Sequence, residues 1–177
     1  MPDPTPTFNT AAGQTIAREQ LICYLNTGTY SSPTWSAIGT RVEVSSMEYD
    51  WSEETSQDIL GVTRSTMKKP TVTQSFDGVK LSEGDAAYEK IWVEGVKNQN
   101  PQSLCALDLL IVHFYAGTAS TPFAERYPSS MVRPTSIGGE GGGAIEMPFD
   151  ATYGGEREVG TASKDSTTGA VSFSKAA

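Results

Sequence analysis

The chain has 177 residues and a formal net charge of −8, from 13 Lys plus Arg against 21 Asp plus Glu. That length is one domain with a sizeable core, and the acidic balance excludes proteins that grip phosphates or dock on anionic membranes. The 39 Ser and Thr residues, with 17 Gly and 10 Pro, describe short strands joined by turns. No unbroken apolar run exceeds five residues, and the most aliphatic is 109–112, far too short for a transmembrane helix. Residues 1–15 have neither the basic flank nor the apolar core of a signal peptide.

Taken in order, residues 1–15 are rich in Pro and Thr and read as an extended N-terminal arm. Residues 16–177 read as a single β domain. Residues 20–25 form a short apolar strand. Residues 35–50 form a longer strand candidate, whose alternation changes phase near Ser45–Ser46 and so suggests a β-bulge. A polar acidic stretch, 52–58, precedes a weak strand at 59–63. A further strand covers 71–76 before the Asp77-Gly78 turn signal.

One helix is expected, over 83–97, with Ser82 as N-cap and Asp85 in the capping-box position. Tyr88, Ile91, Trp92 and Val96 recur at helical spacing and form its core-facing stripe. Residues 104–115 are apolar on both faces, as a central strand covered on both sides would be. Further strands are expected around 131–133 and at 144–149, 157–162 and 169–174. The outline is mainly β, a sandwich or barrel-like sheet with one flanking helix.

No catalytic constellation emerges. Gly138, Gly139, Gly141, Gly142 and Gly143 are followed by neither a helix nor a Gly-Lys-Ser/Thr close, so they read as a mobile loop or bulge rather than a phosphate cradle. His113 lies in an apolar strand without a nucleophile motif and reads as structural. Glu53, Glu54 and Asp58 lack the spacing of a helix–loop–helix calcium site. The pairs Glu156/Glu158 and Asp77/Asp85 are what any acidic protein offers a glycosidase reading. Cys23 and Cys105 lie in apolar runs and read as buried thiols. Trp92 reads as core, while Trp35 and Trp51 fit either core or interface. No cofactor, metal or enzymatic activity is expected.

The order of these features resembles phage tail tube proteins, the major tail proteins of long-tailed bacteriophages. The segment MEYDWSEETSQDILG is followed by PTVTQSFDGVKLSEGDAAYEKIWVEGV, then LDLLIVHFYAG, then YPSSMVRPTSIGGEGGGAIEMPFDATYGGEREVGT. A G-D-x-x-Y helix start (Gly84, Asp85, Tyr88), a glycine-rich turn at 138–143, the Tyr153-Gly154-Gly155 turn and Val159-Gly160-Thr161 carry the likeness, over 34–162. The tail after 162 carries none.

The resemblance implies a structural virion protein without enzymatic activity. Six copies would form a ring, inner strands of all six closing a continuous β-barrel, and rings would stack head to tail into a tube for DNA delivery. Partners implied are further copies, a tape measure protein, a tail terminator and distal tail proteins, with DNA passing unbound; assembly would occur in the host cytoplasm. Tube proteins of phage-derived injection machines are an alternative. From a different class, a secreted carbohydrate-binding sandwich would use Trp35 and Trp51 as its platform. Trp51, Glu53, Glu54, Asp58, Arg64, Lys68 and Lys69 lie in a connection longer than a hairpin needs, and the resemblance to tail tube proteins implies that this segment reaches toward a neighbouring subunit or ring.

Overall fold

The structure, a computed structural model, describes residues 7–176. Eleven strands form: β1 (Leu21–Asn26), β2 (Trp35–Ile38), β3 (Val44–Asp50), β4 (Glu54–Gln57), β5 (Thr63–Thr66), β6 (Thr71–Asp77), β7 (Leu107–Gly117), β8 (Pro122–Pro134), β9 (Phe149–Tyr153), β10 (Glu158–Lys164) and β11 (Val171–Lys175). Strand makes up 45% and helix 11%, and the main sheet curls into a half-barrel. The mainly β, barrel-like class with a flanking helix is therefore correct.

The main antiparallel path runs β2-β1-β7-β8-β9-β6-β3. It forks at β8. Phe123–Arg126 pairs with β10, which carries β11, while Met131–Pro134 pairs with β9. Strand β7 lies along the other edge of β8, from Gly117↔Pro122 to Leu107↔Ser130. One long strand thus belongs to two sheets, and these wrap two cores.

Strand β7 divides its side chains between those cores. Leu107, Leu109 and Ile111 join Leu25, Val72, Phe76, Phe149 and Tyr153 in the larger one. Leu110 and Val112 join Tyr24, Trp35, Ala124, Ala162 and Val171 in the smaller one, which β10 and β11 cover. Complete burial of the first seven residues of β7 confirms the doubly covered strand expected from its composition.

Helix α1 (Ala86–Trp92) continues as a π-helical turn, Val93–Lys97, and a second short helix, α2 (Pro101–Leu104), follows. The N-cap is Asp85, not Ser82: its carboxylate accepts from Tyr88 N at 3.4 Å. Tyr88 and Ile91 are fully buried, whereas Trp92 and Val96 only lean on the larger core. The Tyr88 hydroxyl donates to Thr40 O at 2.9 Å, and Lys90 Nζ donates to Asn26 O at 2.7 Å, pinning the helix over β1 and β2. At Gly95 a Cβ would lie 2.7 Å from Pro134 Cγ, so a glycine lets the helix approach β8 closely.

Several expectations need correction. Residues 35–50 are not one bulged strand. A turn at 39–42, with Arg41 at φ 59°, separates β2 from β3 and sends them to opposite ends of the sheet path. The β3–β6 register is unbroken from Val44↔Asp77 to Asp50↔Thr71, so no bulge lies at Ser45–Ser46. Residues 59–63 are mostly turn, and the strand expected at 144–149 begins only at Phe149. Cys105 is exposed because it caps α2 instead of entering β7; Cys23 is buried. Part of the N-terminal segment lies along β7: Gly117 N donates to Thr7 O and Asn9 N to Tyr115 O.

Burial predicts unequal helix substitutions. Ile91→Ala should cost about 2–5 kcal/mol in urea unfolding, because it empties a closed site. Trp92→Ala should cost less, since solvent and neighbours partly reclaim the space.

Candidate functional site

Two buried polar clusters hold β7 to β8. Asp108 and Arg126 are both about 10% exposed and meet as a fork, Nε to Oδ1 at 3.0 Å and Nη2 to Oδ2 at 2.6 Å. Asn26 Nδ2 donates to the same carboxylate at 2.9 Å, and the guanidinium lies 4.2 Å from the Tyr30 ring centre. These bonds hold Arg126 above its ordinary pKa. Arg126 also sits 3.9 Å from Glu158, which binds Lys175 at 2.8 Å. Glu158 therefore clamps β10 to β8 and β11.

The second cluster centres on Glu125. Its Oε1 lies 3.1 Å from His113 Nε2, and its Oε2 accepts from Tyr127 and from Arg157 Nε, each at 2.7 Å. With its proton on Nε2, His113 donates to Glu125 and accepts the Tyr115 hydroxyl at Nδ1, 2.8 Å away. Burial pushes the Glu125 carboxyl up, but the hydrogen bonds from His113, Arg157 and Tyr127 outweigh it and hold it at about 2. These are scaffold clusters: every polar atom named here is committed to a partner inside the fold.

The surface features are of another kind. Every residue from 51 to 69 is exposed. Within it β4 and β5 form a separate two-stranded sheet, Glu54↔Thr66 to Gln57↔Thr63. It extends the β3–β6 hairpin beyond Asp50 and Thr71, after a break at Ser52 (φ 44°). At its tip Ile59 is 103% and Leu60 84% exposed. Asp58 fixes that turn, its Oδ1 accepting from Leu60 N at 2.9 Å and Val62 N at 3.0 Å.

The structure brings the sequence-selected residues of this segment into pairs. Lys68 meets Glu54 at 2.6 Å and Arg64 meets Asp58 at 3.8 Å across the hairpin. Glu53 and Lys69 remain at the surface, and half-exposed Trp51 lies at the hairpin base. Among the described residues no group of three or more His, Cys, Asp or Glu is placed to hold a metal ion. Trp35 is buried beneath Arg126, 5.5 Å from its guanidinium, which leaves no Trp35–Trp51 platform. Residues 138–143 close on themselves: Gly138 and Glu146 exchange backbone hydrogen bonds. A Cβ at Gly139 would run into the backbone carbonyl of Ala144.

Sequence reasoning missed the outer face of β8-β9-β6-β3. Val72, Gln74, Phe76, Phe149, Ala151 and Tyr153 point inward. Alternation then sends Ser46, Glu48, Asp50, Thr71, Thr73, Ser75, Asp77, Asp150, Thr152 and Arg133 outward, together with two exposed apolar side chains, Val44 opposite Asp77 and Met131 opposite Thr152. No other layer of the described chain covers this face. Its carboxylates are Glu48, Asp50, Asp77 and Asp150, and its cation, Arg133, is tied to Asp150 at 2.8 Å. Period-two alternation of Ser, Thr and acids in 71–77 was the available signal.

The fold is similar to that of the tube-terminating cap of the anti-feeding prophage, with TM-score 0.51 and 12% identity over 86% of this chain and 95% of that one. It is similar to the sheath/tube terminator of the extracellular contractile injection system PVC in its extended state: TM-score 0.51, 11% identity, 84% and 99% covered. A chain of the extended PVC sheath–tube complex gives TM-score 0.50 and 8% identity, with 85% and 94% covered. At these identities the likeness establishes a shared fold. No protein-family model and no curated protein matches the chain.

The Glu125 cluster generates an acid-stability prediction. A carboxyl held at about 2 against an ordinary 4.5 contributes stability that is present above pH 4.5 and lost as pH falls toward 2, on the order of 3 kcal/mol. Urea unfolding at stepped pH should show that loss, and Glu125→Gln should be less stable at pH 7 with a flatter acid limb.

Proposed function

We propose that this protein is a structural, ring-forming subunit of a phage-tail-like tube, with the outer face of β8-β9-β6-β3 lining the bore. The observation that carries the reading is that face itself: an uncovered sheet dominated by Ser, Thr and carboxylate side chains, with Val44 and Met131 near its margins, whose cation is already paired. A face of this kind offers little to an apolar partner and repels a polyanion. It suits the wall of a conduit along which a charged cargo must slide without sticking. At physiological ionic strength its repulsion would reach only about 8 Å, so cargo is kept off the wall rather than barred from the bore.

Two further features support assembly. Among the described residues strand β3 pairs only with β6 and offers a seven-residue edge on its other side. Open edges are templates for strand pairing, and a neighbour laid against this one would continue the wall from copy to copy. The fold shared with tube terminators and a sheath–tube complex is of the kind this requires. By the resemblance stated above, the ring would hold six copies within a virion or virion-like particle. Its neighbours would be tape measure, terminator and distal tail proteins, and DNA the cargo in a phage.

The second reading, a terminator that caps a tube, is favoured by the cap and terminator among the structural neighbours. Negative-stain microscopy at rising protein concentration separates the readings. Stacked rings with a central bore are expected for a tube subunit, and single rings that never stack for a terminator. Monodisperse particles of about 19 kDa at every concentration would contradict both. Shortening the chain across 54–66 should leave a folded protein by circular dichroism that no longer elongates.

A further inference from the structure

Asn26 ends β1 with its side chain buried, 2% exposed, and both polar atoms of its carboxamide held. Its Oδ1 accepts from two main-chain donors, Gly28 N at 2.9 Å and Thr34 N at 3.0 Å. Its Nδ2 donates to Thr29 O and to Asp108 Oδ2, each at 2.9 Å. Donors on one atom and acceptors on the other fix which is oxygen and which is nitrogen, so the nitrogen is the atom turned to the carboxylate. Lys90, on α1, brings its Nζ to 2.7 Å from the main-chain carbonyl oxygen of the same Asn26. An amine, a carboxamide and a carboxylate therefore meet where α1 crosses the end of β1.

We propose that Lys90 and Asn26 are joined by an intramolecular amide bond, made by Lys90 Nζ on the Asn26 carboxamide with release of ammonia and assisted by Asp108. The bond goes beyond the tube reading and does not depend on it. The reaction needs no cofactor and no oxidant. As the free amine, Nζ bonds to Asn26 Cγ, and the carbonyl electron pair moves to Oδ1. Gly28 N and Thr34 N already point at the charge that develops there. Asp108 takes the proton that Nζ sheds and passes it to Nδ2, which its Oδ2 already touches. The pair on Oδ1 re-forms the carbonyl, the Cγ–Nδ2 bond breaks, and ammonia leaves. An amine and a primary amide become a secondary amide and ammonia, so atoms and charge balance.

The surroundings favour each role. Burial lowers the Lys90 pKa against the pull of Asp108 and Glu94, which raises the share of free amine. Asp108 meets Arg126 as a carboxylate, the form that accepts a proton, and the Arg126 fork fixes its orientation. Covalent geometry keeps a residue's carbonyl oxygen within about 3–4.5 Å of its own Cγ. The flexible lysine stem thus has a short swing to the roughly 3–3.5 Å separation of a near-attack approach. Lys90 and Asn26 are 64 positions apart, so the bond would close a covalent ring containing β2 through β6 and fasten α1 to β1.

Intact mass spectrometry reads the bond directly. The folded chain of 18.9 kDa should weigh less than its sequence mass by roughly 17 Da, one ammonia lost for the amide formed. A proteolytic digest should contain a branched peptide that joins Lys90 to Asn26. Lys90→Arg keeps a donor toward Asn26 O and should restore the full mass. Asp108→Asn should carry the full mass in whatever fraction folds. In denaturing gels the wild-type chain should run ahead of Lys90→Arg, because a closed ring stays more compact. A folded wild-type chain that keeps its full mass after prolonged incubation would overturn the inference. So would a mass loss that persists in Lys90→Arg. Neither result bears on whether rings form, so the tube reading stands or falls separately in the micrographs.

Discussion

Strand β7 places buried side chains on both of its faces, and the rest of the molecule is arranged to cover them. Leu107, Leu109, Leu110, Ile111 and Val112 are each at most 4% exposed, and each such side chain contributes about 1.5–3 kcal/mol when fully buried. One layer cannot cover two faces, which is why β8 serves two sheets. Its first half, with β10 and β11, closes the smaller core, and its second half hands the chain to β9 and the larger core. The same strand carries Asp108 and His113, which burial would penalise heavily if they were unpartnered. Arg126 and Glu125, adjacent on β8, point to opposite faces and answer them one each. Removing one member of such a buried pair typically costs about 3–5 kcal/mol, so these two contacts fix the β7–β8 register as well as their own charges.

With β8 committed to both cores, the sheet β8-β9-β6-β3 has one face against the larger core and the other bare. That division separates the scaffold from the surface where function would reside. Asp108, Arg126, His113 and Glu125 are engaged in clamping strands, which leaves the uncovered face, the β3 edge and the hairpin as the surfaces on which the proposed assembly rests.

Much of this was legible in the residues, for physical reasons that differ by element. The doubly apolar run of β7 and the spacing of Tyr88 and Ile91 survived intact, because burial acts on periodicity directly. Residues 122–130 gave no strand signal: Pro122, Pro128, Glu125 and Arg126 look like a loop until Asp108 and His113 are placed opposite them. The β2–β3 division was hidden because the turn around Arg41 carries no Gly-Asp or Asn-Gly signature. The segment 51–69 reads in sequence as a polar stretch at 52–58 and a weak strand at 59–63. It is a hairpin that inverts the usual order, with polar strands and an apolar turn, a pattern with no folding rationale within one chain. The bare acidic face was written in the alternation of 71–77, but which side of a strand faces solvent depends on where the second sheet lies.

The most direct measurement is a cryo-EM reconstruction of the assembled protein at a resolution that shows side-chain direction. The account predicts a closed ring in which Glu48, Asp50, Asp77 and Asp150 face the bore and β3 is paired to a neighbouring copy. A ring whose bore is lined by another face, or in which β3 keeps a free edge, would contradict it.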